Sequence, residues 1–246
     1  MILAVIPAFD EAATIGAVVR RLRARVDIIV VDDASSDGTA EAAARAGARW
    51  VARHPSRRGK AAALRTGFAE ALRRGASAVV TLDGDGQHDP DDLLRLVTAA
   101  RRCPDALVLG DRLSAAAGDP IPVLRRGAIR AADLGVGWLT GVPIRDTQCG
   151  YRVYPAALLR EAPLRGEGFV LETEILLGAA RTGRPLVSVP VRRIYPRGRR
   201  SRFRAVVDGG QIAAFLVGEA LGGLGRGLPS LRSPRPEAAA RVSIEA

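Results

Sequence analysis

Residues 78–88 of the chain read AVVTLDGDGQH, and this stretch decides the fold and the site that we expect. A short run of apolar and β-branched residues stops at Asp83 and Asp85, which flank Gly84. Such a run is typical of a buried strand. Two carboxylates this close repel each other unless a cation neutralises them, and Mg²⁺ and Mn²⁺ prefer oxygen ligands. We therefore predict a divalent-metal site with Asp83, Asp85 and Gln87 as candidate ligands.

Strand-like and helix-like segments alternate on both sides of this stretch. The predicted strands are 2–6, 28–31, 49–52, 78–82, 106–109 and 186–191, and the predicted helices are 11–25, 38–46, 60–73, 90–101, 123–140 and 169–182. This alternation predicts an α/β fold, a Rossmann-like three-layer α/β/α sandwich with a mostly parallel central sheet. Ligands of such sheets bind at the carboxyl ends of the strands.

Two further strand ends carry residues suited to a nucleotide. Residues 7–11 read PAFDE after the first predicted strand, and residues 32–38 read DDASSDG after the second. Carboxylates there can accept hydrogen bonds from a base or a ribose, although helix capping would explain some of them. Lys60 follows a basic turn at a predicted helix start, where phosphate binds readily. The candidate nucleotide-binding residues are Pro7, Phe9, Glu11, Asp33, Lys60 and Asp83.

The composition limits the classes of partner. A net charge of +11 favours phosphate-bearing ligands, whether nucleic acid, a sugar nucleotide or anionic lipid. Aromatic residues make up only 4%, which leaves little for base stacking on single strands. Acidic residues at three strand ends would also repel nucleic-acid phosphates unless a metal is bound. We therefore do not expect a nucleic-acid partner.

Cysteine content and hydropathy indicate the compartment. Cys103 and Cys149 are not in zinc-ligand spacing, and we expect a reducing environment without a disulfide. We recognise no signal peptide, and no apolar run reaches the roughly 18 residues of a membrane span. We expect a cytoplasmic protein, with residues 205–228 as a candidate amphipathic helix on the membrane face. Residues 229–246 have the composition of a disordered tail.

Five segments together resemble family 2 glycosyltransferases, most closely the branch of dolichyl- and polyprenyl-phosphate sugar synthases. They are VIPAFDEAATI, VVDDASSDGT, RGKAAALRTGF, LDGDGQHDP and DTQCGYRVY, in that order within residues 5–154. The resemblance implies a GT-A domain over residues 1–228, with a nucleotide-binding half at 1–110 and an acceptor half at 111–204. It also implies an inverting transferase that uses Mg²⁺ or Mn²⁺ and a UDP- or GDP-sugar.

The resemblance assigns roles to matching positions. It implies nucleoside contacts for Pro7, Glu11 and Asp33, and metal and diphosphate contacts for Asp83, Asp85 and Gln87. A divalent ion stabilises charge on the leaving diphosphate, so no protonating carboxylic acid is needed. In the lipid-phosphate branch, Asp146 and Gln148 are expected to orient the donor sugar or phosphate.

The acceptor is open from sequence. A polyprenyl phosphate is already anionic and needs positive charge rather than a base. The basic segment 195–204 resembles that branch's phosphate-binding segment imperfectly, because arginine replaces lysine and the spacing differs; its candidates are Arg197, Arg199, Arg200 and Arg202. A hydroxyl acceptor needs a general base, for which Asp146 is the main candidate and Glu172 and Glu174 are others.

Three rival interpretations remain. A nucleotidyltransferase also uses a metal and a sugar nucleotide, but it usually has a glycine-rich loop where residues 7–10 read PAFD. A basic nucleic-acid-binding module without catalysis is disfavoured by the acids and the few aromatics. A degenerate transferase that only binds nucleotide is disfavoured by the intact Asp83 and Asp85.

Overall fold

A computed structural model describes residues 1–114, 121, 123–194 and 207–225. One seven-stranded sheet runs through this part of the chain, with the strand order β3-β2-β1-β4-β6-β5-β7. The strands are β1 (Ile2–Ala8), β2 (Asp27–Asp32), β3 (Trp50–Arg53), β4 (Ala78–Thr81), β5 (Leu107–Asp111), β6 (Arg152–Pro155) and β7 (Leu186–Pro190). Both predicted halves of the domain contribute strands, so they share one sheet. The boundary near residue 110 remains a prediction.

Helices cover both faces of the sheet, which confirms the three-layer GT-A fold. They are α1 (Ala12–Leu22), α2 (Thr39–Ala46), α3 (Lys60–Arg73), α4 (Leu93–Arg102), α5 (Val123–Thr140), α6 (Ala156–Glu161), α7 (Val170–Arg181) and α8 (Val207–Gly225). The predicted helix 90–101 is divided, because Pro90–Asp92 forms a 3-10 turn before α4. Among the helices of the described residues, none has the length and apolarity needed to cross a bilayer.

Strand β6 departs from the prediction. We predicted no strand near residues 152–155, yet β6 lies between β4 and β5 and is antiparallel to both. The other pairs in the sheet, β1 with β2 and β4, β2 with β3, and β5 with β7, are all parallel. A four-residue strand is too short to show a clear apolar period. The sheet is therefore mostly parallel, as predicted, with one antiparallel strand in its interior.

Side chains alternate along β1 between two apolar cores. Leu3 and Val5 face a core shared with α3, α7 and the α5–α8 pair, whereas Ala4 and Ile6 face a core shared with α1, α2 and α4. This two-sided burial explains why β1 reads as a continuous apolar run. Pro7 is accommodated inside β1 because the pairing with β4 ends at Val5. Proline has no backbone N–H, and at position 7 no hydrogen bond to β4 requires one.

Gly67 allows α3 to approach β1 closely. A Cβ atom at this position would lie 2.2 Å from Cγ1 of Val5. We expect Gly67→Ala to lower the free energy of unfolding by about 1–3 kcal/mol, because overpacking outweighs the gain in helix propensity. Urea unfolding monitored by circular dichroism measures this change.

Gly178 in α7 is the matched control, since a Cβ there would meet nothing within 4 Å. Gly178→Ala should leave stability unchanged or raise it by up to about 1 kcal/mol. Equal effects of the two substitutions would contradict the close approach of α3 to β1.

Candidate active site

The carboxyl ends of β1, β2 and β4 border a cavity of about 680 Å³. Nine of the residues predicted from sequence line this cavity: Pro7, Phe9, Glu11, Asp33, Lys60, Asp83, Asp85, Gln87 and Gln148. Asp146 is not among the lining residues. Arg197, Arg199, Arg200 and Arg202 lie outside the described residues, and so does the predicted tail. The expectation that ligands bind at the carboxyl ends of the strands therefore identified the position of the cavity. The role of the arginine segment remains a prediction.

The acids after β2 divide into two groups. Asp32 is fully buried, and its Oδ1 accepts a hydrogen bond from the backbone N of Ser35 at 3.1 Å. Asp37 accepts from the backbone N of Ala12 at 2.9 Å and so ties this loop to α1. These two carboxylates hold the loop. Asp33 alone reaches the cavity, although it is 3% exposed.

Asp33 organises the basic turn before α3. Its Oδ1 accepts from the backbone N of Arg58 at 2.9 Å, and its Oδ2 accepts from the backbone N of Gly59 at 2.7 Å. His54 Nδ1 lies 2.7 Å from the same Oδ1, and His54 Nε2 lies 2.9 Å from Thr66 Oγ1. Burial opposes ionisation, but these hydrogen bonds hold the pKa of Asp33 below its ordinary value. Asp33 therefore remains an anion that fixes the turn.

Arg57 and Phe9 form a flat wall of the cavity. The Arg57 guanidinium carbon lies 4.2 Å from the centroid of the Phe9 ring, within the range of a cation–π contact. Both residues line the cavity beside Asp33. A planar cation on an aromatic ring presents a surface against which a nucleotide base can stack.

Lys60 joins three elements at the centre of the cavity. Its Nζ lies 2.9 Å from Asp83 Oδ1, after β4, and 3.1 Å from Glu172 Oε2, in α7. These two carboxylates raise the pKa of Lys60 above its ordinary value, although burial acts in the opposite direction. A Cβ at Gly150 would lie between 3.1 and 3.4 Å from atoms of all three side chains. Position 150 therefore has to be small for this cluster to close.

Asp85 is the acid of the DGD segment (residues 83–85) whose ionisation is disfavoured. Burial, and then the neighbouring charge of Asp83, raise the pKa of Asp85. The pKa of Asp83 is lowered instead, because the effects of Lys60 and His88 exceed the effect of burial. Asp85 also accepts from the backbone N of Gln87 at 3.0 Å. A divalent cation would relieve this crowding of negative charge beside the cavity.

The residues present fit a Mg²⁺-like site. Among residues 1–114, 121, 123–194 and 207–225, no three His, Cys, Asp or Glu side chains form a metal-binding group. Asp83 and Asp85 offer two carboxylates, and Gln87 also lines the cavity. Mg²⁺ usually takes one or two carboxylates and completes its shell with water and substrate phosphates. The donor set suits an ion that binds together with a diphosphate.

Asp146 is held away from the cavity by Arg112. Its Oδ1 and Oδ2 each accept from the guanidinium at 2.7 Å, and Oδ2 also accepts from the backbone N of Arg112 at 2.9 Å. The side chain is fully buried, and Arg112 lowers the pKa of Asp146 although burial opposes this shift. Asp133 in α5 accepts from the backbone N of Asp146 and of Thr147 at 3.0 and 2.8 Å. This geometry suits a residue that positions Arg112, and it does not favour Asp146 as a general base.

Several cavity residues escaped the sequence analysis. Arg112 directly follows β5, so the strand-end rule could have identified it. Arg125 and Ile129 come from α5, Phe169 precedes α7, and Asp208 begins α8. No local pattern marks these four, because helix packing alone brings them to the cavity.

The segment after β7 closes one rim of the site. The backbone N of Ile194 donates to the carbonyl of Gln87 at 3.0 Å, and Arg193 donates to the carbonyl of Arg112. The backbone N of Arg192 donates to Asp92 Oδ2 at 2.6 Å. Residues 192–194 therefore link the segment that follows β4 to Arg112, which follows β5.

Cys149 packs in the core. It is fully buried, and burial raises the pKa of its thiol to about 12. Neither it nor Cys103 forms a disulfide. A buried neutral thiol is inert.

The fold and the position of this site can be compared with those of known proteins, and that similarity gives the family. The model of glycosyl transferase family 2 matches residues 3–164, so the chain belongs to this family and is a glycosyltransferase.

Relatives within the family carry informative names. The chain is 33% identical over 202 residues to an undecaprenyl-phosphate mannosyltransferase of Micrococcus luteus, which covers 77% of this chain and 82% of the relative. It is 32% identical over 203 residues to a polyprenol monophosphomannose synthase of Mycolicibacterium smegmatis, covering 77% and 76%. The resemblance to prenyl-phosphate sugar synthases is therefore confirmed at the level of sequence similarity.

Solved structures agree on the fold. Mannosyl-3-phosphoglycerate synthase from Rubrobacter xylanophilus superposes with a TM-score of 0.68 at 22% identity, over 96% of this chain and 78% of that chain. TarS 1–349 of S. aureus in complex with UDP-GlcNAc gives a TM-score of 0.55 at 12% identity, over 89% and 66%.

The Arg112–Asp146 pair predicts a specific pH dependence of stability. Asp146→Asn leaves a buried guanidinium without its counter-charge, so we expect it to lower the free energy of unfolding by roughly 3 kcal/mol at pH 7. The folded pKa of Asp146 is lowered, so its stabilisation is present above the unfolded pKa of about 4 and is lost as the pH falls below it. The difference between wild type and variant should therefore shrink towards pH 3, in urea unfolding curves.

Asp27→Asn is the control, because Asp27 is 38% exposed and lies 3.3 Å from Arg49 on the surface. It should change stability by less than about 1 kcal/mol. A difference in stability between the wild type and Asp146→Asn that stayed constant from pH 7 to pH 3 would contradict the assigned ion pair.

Proposed function

We propose that this glycosyltransferase is an inverting, metal-dependent enzyme that transfers a sugar from a UDP- or GDP-sugar to a polyprenyl phosphate. The observation that carries the proposal is the shared cavity, which joins an acidic end at Asp83 and Asp85 to a basic wall at Arg112 and Arg125. An acidic end suits a metal–diphosphate donor, and a basic wall suits an anionic acceptor. The names of the relatives from M. luteus and M. smegmatis support the same acceptor class.

The donor fits the β1–β2–β4 side of the cavity. The Phe9–Arg57 wall offers stacking for a base, and the glycine-bearing turn at Gly59 offers the start of α3 to phosphate. Asp83, Asp85 and Gln87 would hold Mg²⁺ or Mn²⁺ against the diphosphate. When bound, the ion would stabilise negative charge on the leaving nucleoside diphosphate.

The acceptor fits the opposite wall. A phosphate monoester is already a nucleophile, so an oxygen of the acceptor phosphate attacks the anomeric carbon. The bond from that carbon to the donor diphosphate breaks, and the diphosphate leaves with the electron pair on the opposite face. In-line displacement of this kind inverts the anomeric centre. No protein base takes part, in agreement with the buried, arginine-bound state of Asp146.

Positive charge is what the acceptor step requires from the protein. Two phosphate groups have to approach one sugar, and Arg112, which Asp146 holds in place, lines the cavity. Arginine stays charged at neutral pH and donates charge-assisted hydrogen bonds to phosphate. A lipid-borne acceptor also implies peripheral contact between the protein and a membrane.

The metal assignment is tested with Asp85→Asn. We expect transfer from the preferred nucleotide sugar to fall at least about 100-fold, because charge stabilisation of the leaving group is lost. EDTA should abolish wild-type transfer, and Mn²⁺ or Mg²⁺ should restore it. Radiolabelled sugar recovered in the lipid phase measures the rate. Asp91→Asn is the control, since Asp91 is 53% exposed and pairs with Arg21 and Arg25.

Undiminished transfer by the Asp85 variant, or full wild-type activity in EDTA, would overturn the metal site. DNA or RNA binding that survives EDTA, with no thermal shift from any nucleotide sugar, would favour a nucleic-acid-binding module instead.

The acceptor class is tested with a water-soluble, short-chain prenyl phosphate and its free alcohol. We expect the phosphate to be glycosylated and the alcohol to be inert, because Arg112 and Arg125 line the cavity and Asp146, the main candidate base, is bound by Arg112. Arg125→Gln should raise KM for the phosphate about tenfold, the cost of one charge-assisted hydrogen bond, with little change in donor binding. Arg45→Gln, in the exposed last turn of α2, is the control. Equal turnover of the alcohol would show a hydroxyl acceptor.

A further inference from the structure

Helix α5 exposes an apolar stripe on the side that faces away from the core. Leu134 is 76% exposed and Trp138 is 74% exposed. Both belong to a row of exposed small or apolar residues that are spaced three or four positions apart. The row consists of Leu124, Gly127, Ala131, Leu134 and Trp138. The buried positions Ile129, Ala132 and Val136 lie on the other side of the helix. The helix thus has two apolar faces, and the described part of the chain covers only one.

Helix α8 repeats this pattern. Ile212 and Leu216 are buried against the core, whereas Val217 is 57% exposed and Leu221 is 63% exposed. The exposed positions between residues 207 and 222 are Val207, Gly210, Gln211, Ala213, Ala214, Val217, Gly218, Leu221 and Gly222. None of these side chains is charged. A surface helix in contact with water alone normally carries charge on its outer face.

The two helices form one surface. They pack against each other, and a Cβ at Gly135 of α5 would lie 2.9 Å from Cδ1 of Leu216 in α8. Gly135 allows the two helices to approach closely, and we consider their exposed stripes together. We name this surface the α5–α8 face. Monomeric soluble proteins rarely expose a continuous apolar patch without a binding role.

The α5–α8 face borders the cavity. Arg125 and Ile129 of α5 and Asp208 of α8 line the cavity from the same two helices. Whatever covers the face therefore lies next to the acceptor wall.

Charge around the face favours one occupant. Arg126 and Arg130 of α5 are exposed and flank the apolar stripe, and the whole chain carries a net charge of +11. Two identical copies meeting through this face would bring these arginines towards each other, whereas anionic lipid headgroups would neutralise them. An exposed Trp beside basic residues is also typical of the membrane interface.

We propose that the α5–α8 face docks on a bilayer that contains anionic lipid. Its apolar stripes enter the boundary between headgroups and acyl chains, and Arg126 and Arg130 contact the headgroups. The cavity mouth then opens at the level of the lipid phosphates. Docking itself is independent of catalysis, but its role in presenting the acceptor rests on the proposed function.

Vesicle flotation of the full chain tests docking directly. We expect the wild type to float with vesicles of phosphatidylcholine and phosphatidylglycerol, and less with phosphatidylcholine alone. The double variant Leu134→Glu and Trp138→Ser should reduce the bound fraction at least about tenfold, because two large apolar side chains no longer enter the bilayer. Leu94→Glu is the matched control, since Leu94 is 54% exposed on α4. Circular dichroism verifies that each variant is folded.

Two results would overturn the proposal. One is equal flotation of the double variant and the wild type. The other is a wild-type dimer in light scattering that the double variant converts to a monomer while vesicle binding is absent, which assigns the face to a second copy.

Activity assays separate this proposal from the proposed function. The double variant should glycosylate a water-soluble prenyl phosphate at the wild-type rate and a vesicle-embedded polyprenyl phosphate at least about tenfold more slowly. Failure of both proteins on every prenyl phosphate would refute the acceptor assignment and leave the flotation result standing. Equal rates on the embedded acceptor would refute the role of the face in presenting it.

Discussion

The ammonium of Lys60 holds together the two parts of the active site. It lies between Asp83, at the end of β4, and Glu172, in α7. Three charged side chains in one partly buried cluster are stable only when opposite signs are adjacent, since an unpaired buried charge costs several kcal/mol. Asp33 holds the turn before α3 that presents Lys60. Its carboxylate accepts hydrogen bonds from the backbone N of Arg58 and of Gly59. Disturbing any of these contacts would move Asp83, which lies two residues before Asp85, the proposed metal ligand.

Charge is distributed along the cavity according to what each end has to bind. The DGD segment concentrates negative charge, and burial together with the neighbouring charge of Asp83 raises the pKa of Asp85. The acceptor wall concentrates arginine, and Asp146 and Asp133 fix the position of Arg112 from behind. Aspartate thus serves two purposes in this fold. Asp83 and Asp85 line the cavity, whereas Asp146 lies behind Arg112 and orients it.

The outer surface continues this arrangement. The acceptor wall is built partly from α5 and α8, and the same helices carry the exposed apolar stripes. A substrate with a charged phosphate and a long apolar chain requires both environments side by side. The α5–α8 pair offers both, because residues of these helices line the cavity and their outer faces expose apolar side chains.

The sequence alone determined the parallel-sheet architecture and the donor side of the site. Strand ends are local features, so the residues after β1, β2 and β4 could be read directly, and Pro7, Asp33, Asp83 and Asp85 do meet at one edge of the sheet. Tertiary structure alone decided the antiparallel insertion of β6, the withdrawal of Asp146 behind Arg112 and the arrival of Arg125 and Asp208 at the cavity. The difference comes from how far apart in the chain the residues that specify each feature lie. A strand and its terminal acids are specified by neighbouring residues, whereas the acceptor wall arises from helix packing between segments far apart in the chain, for which no local pattern exists.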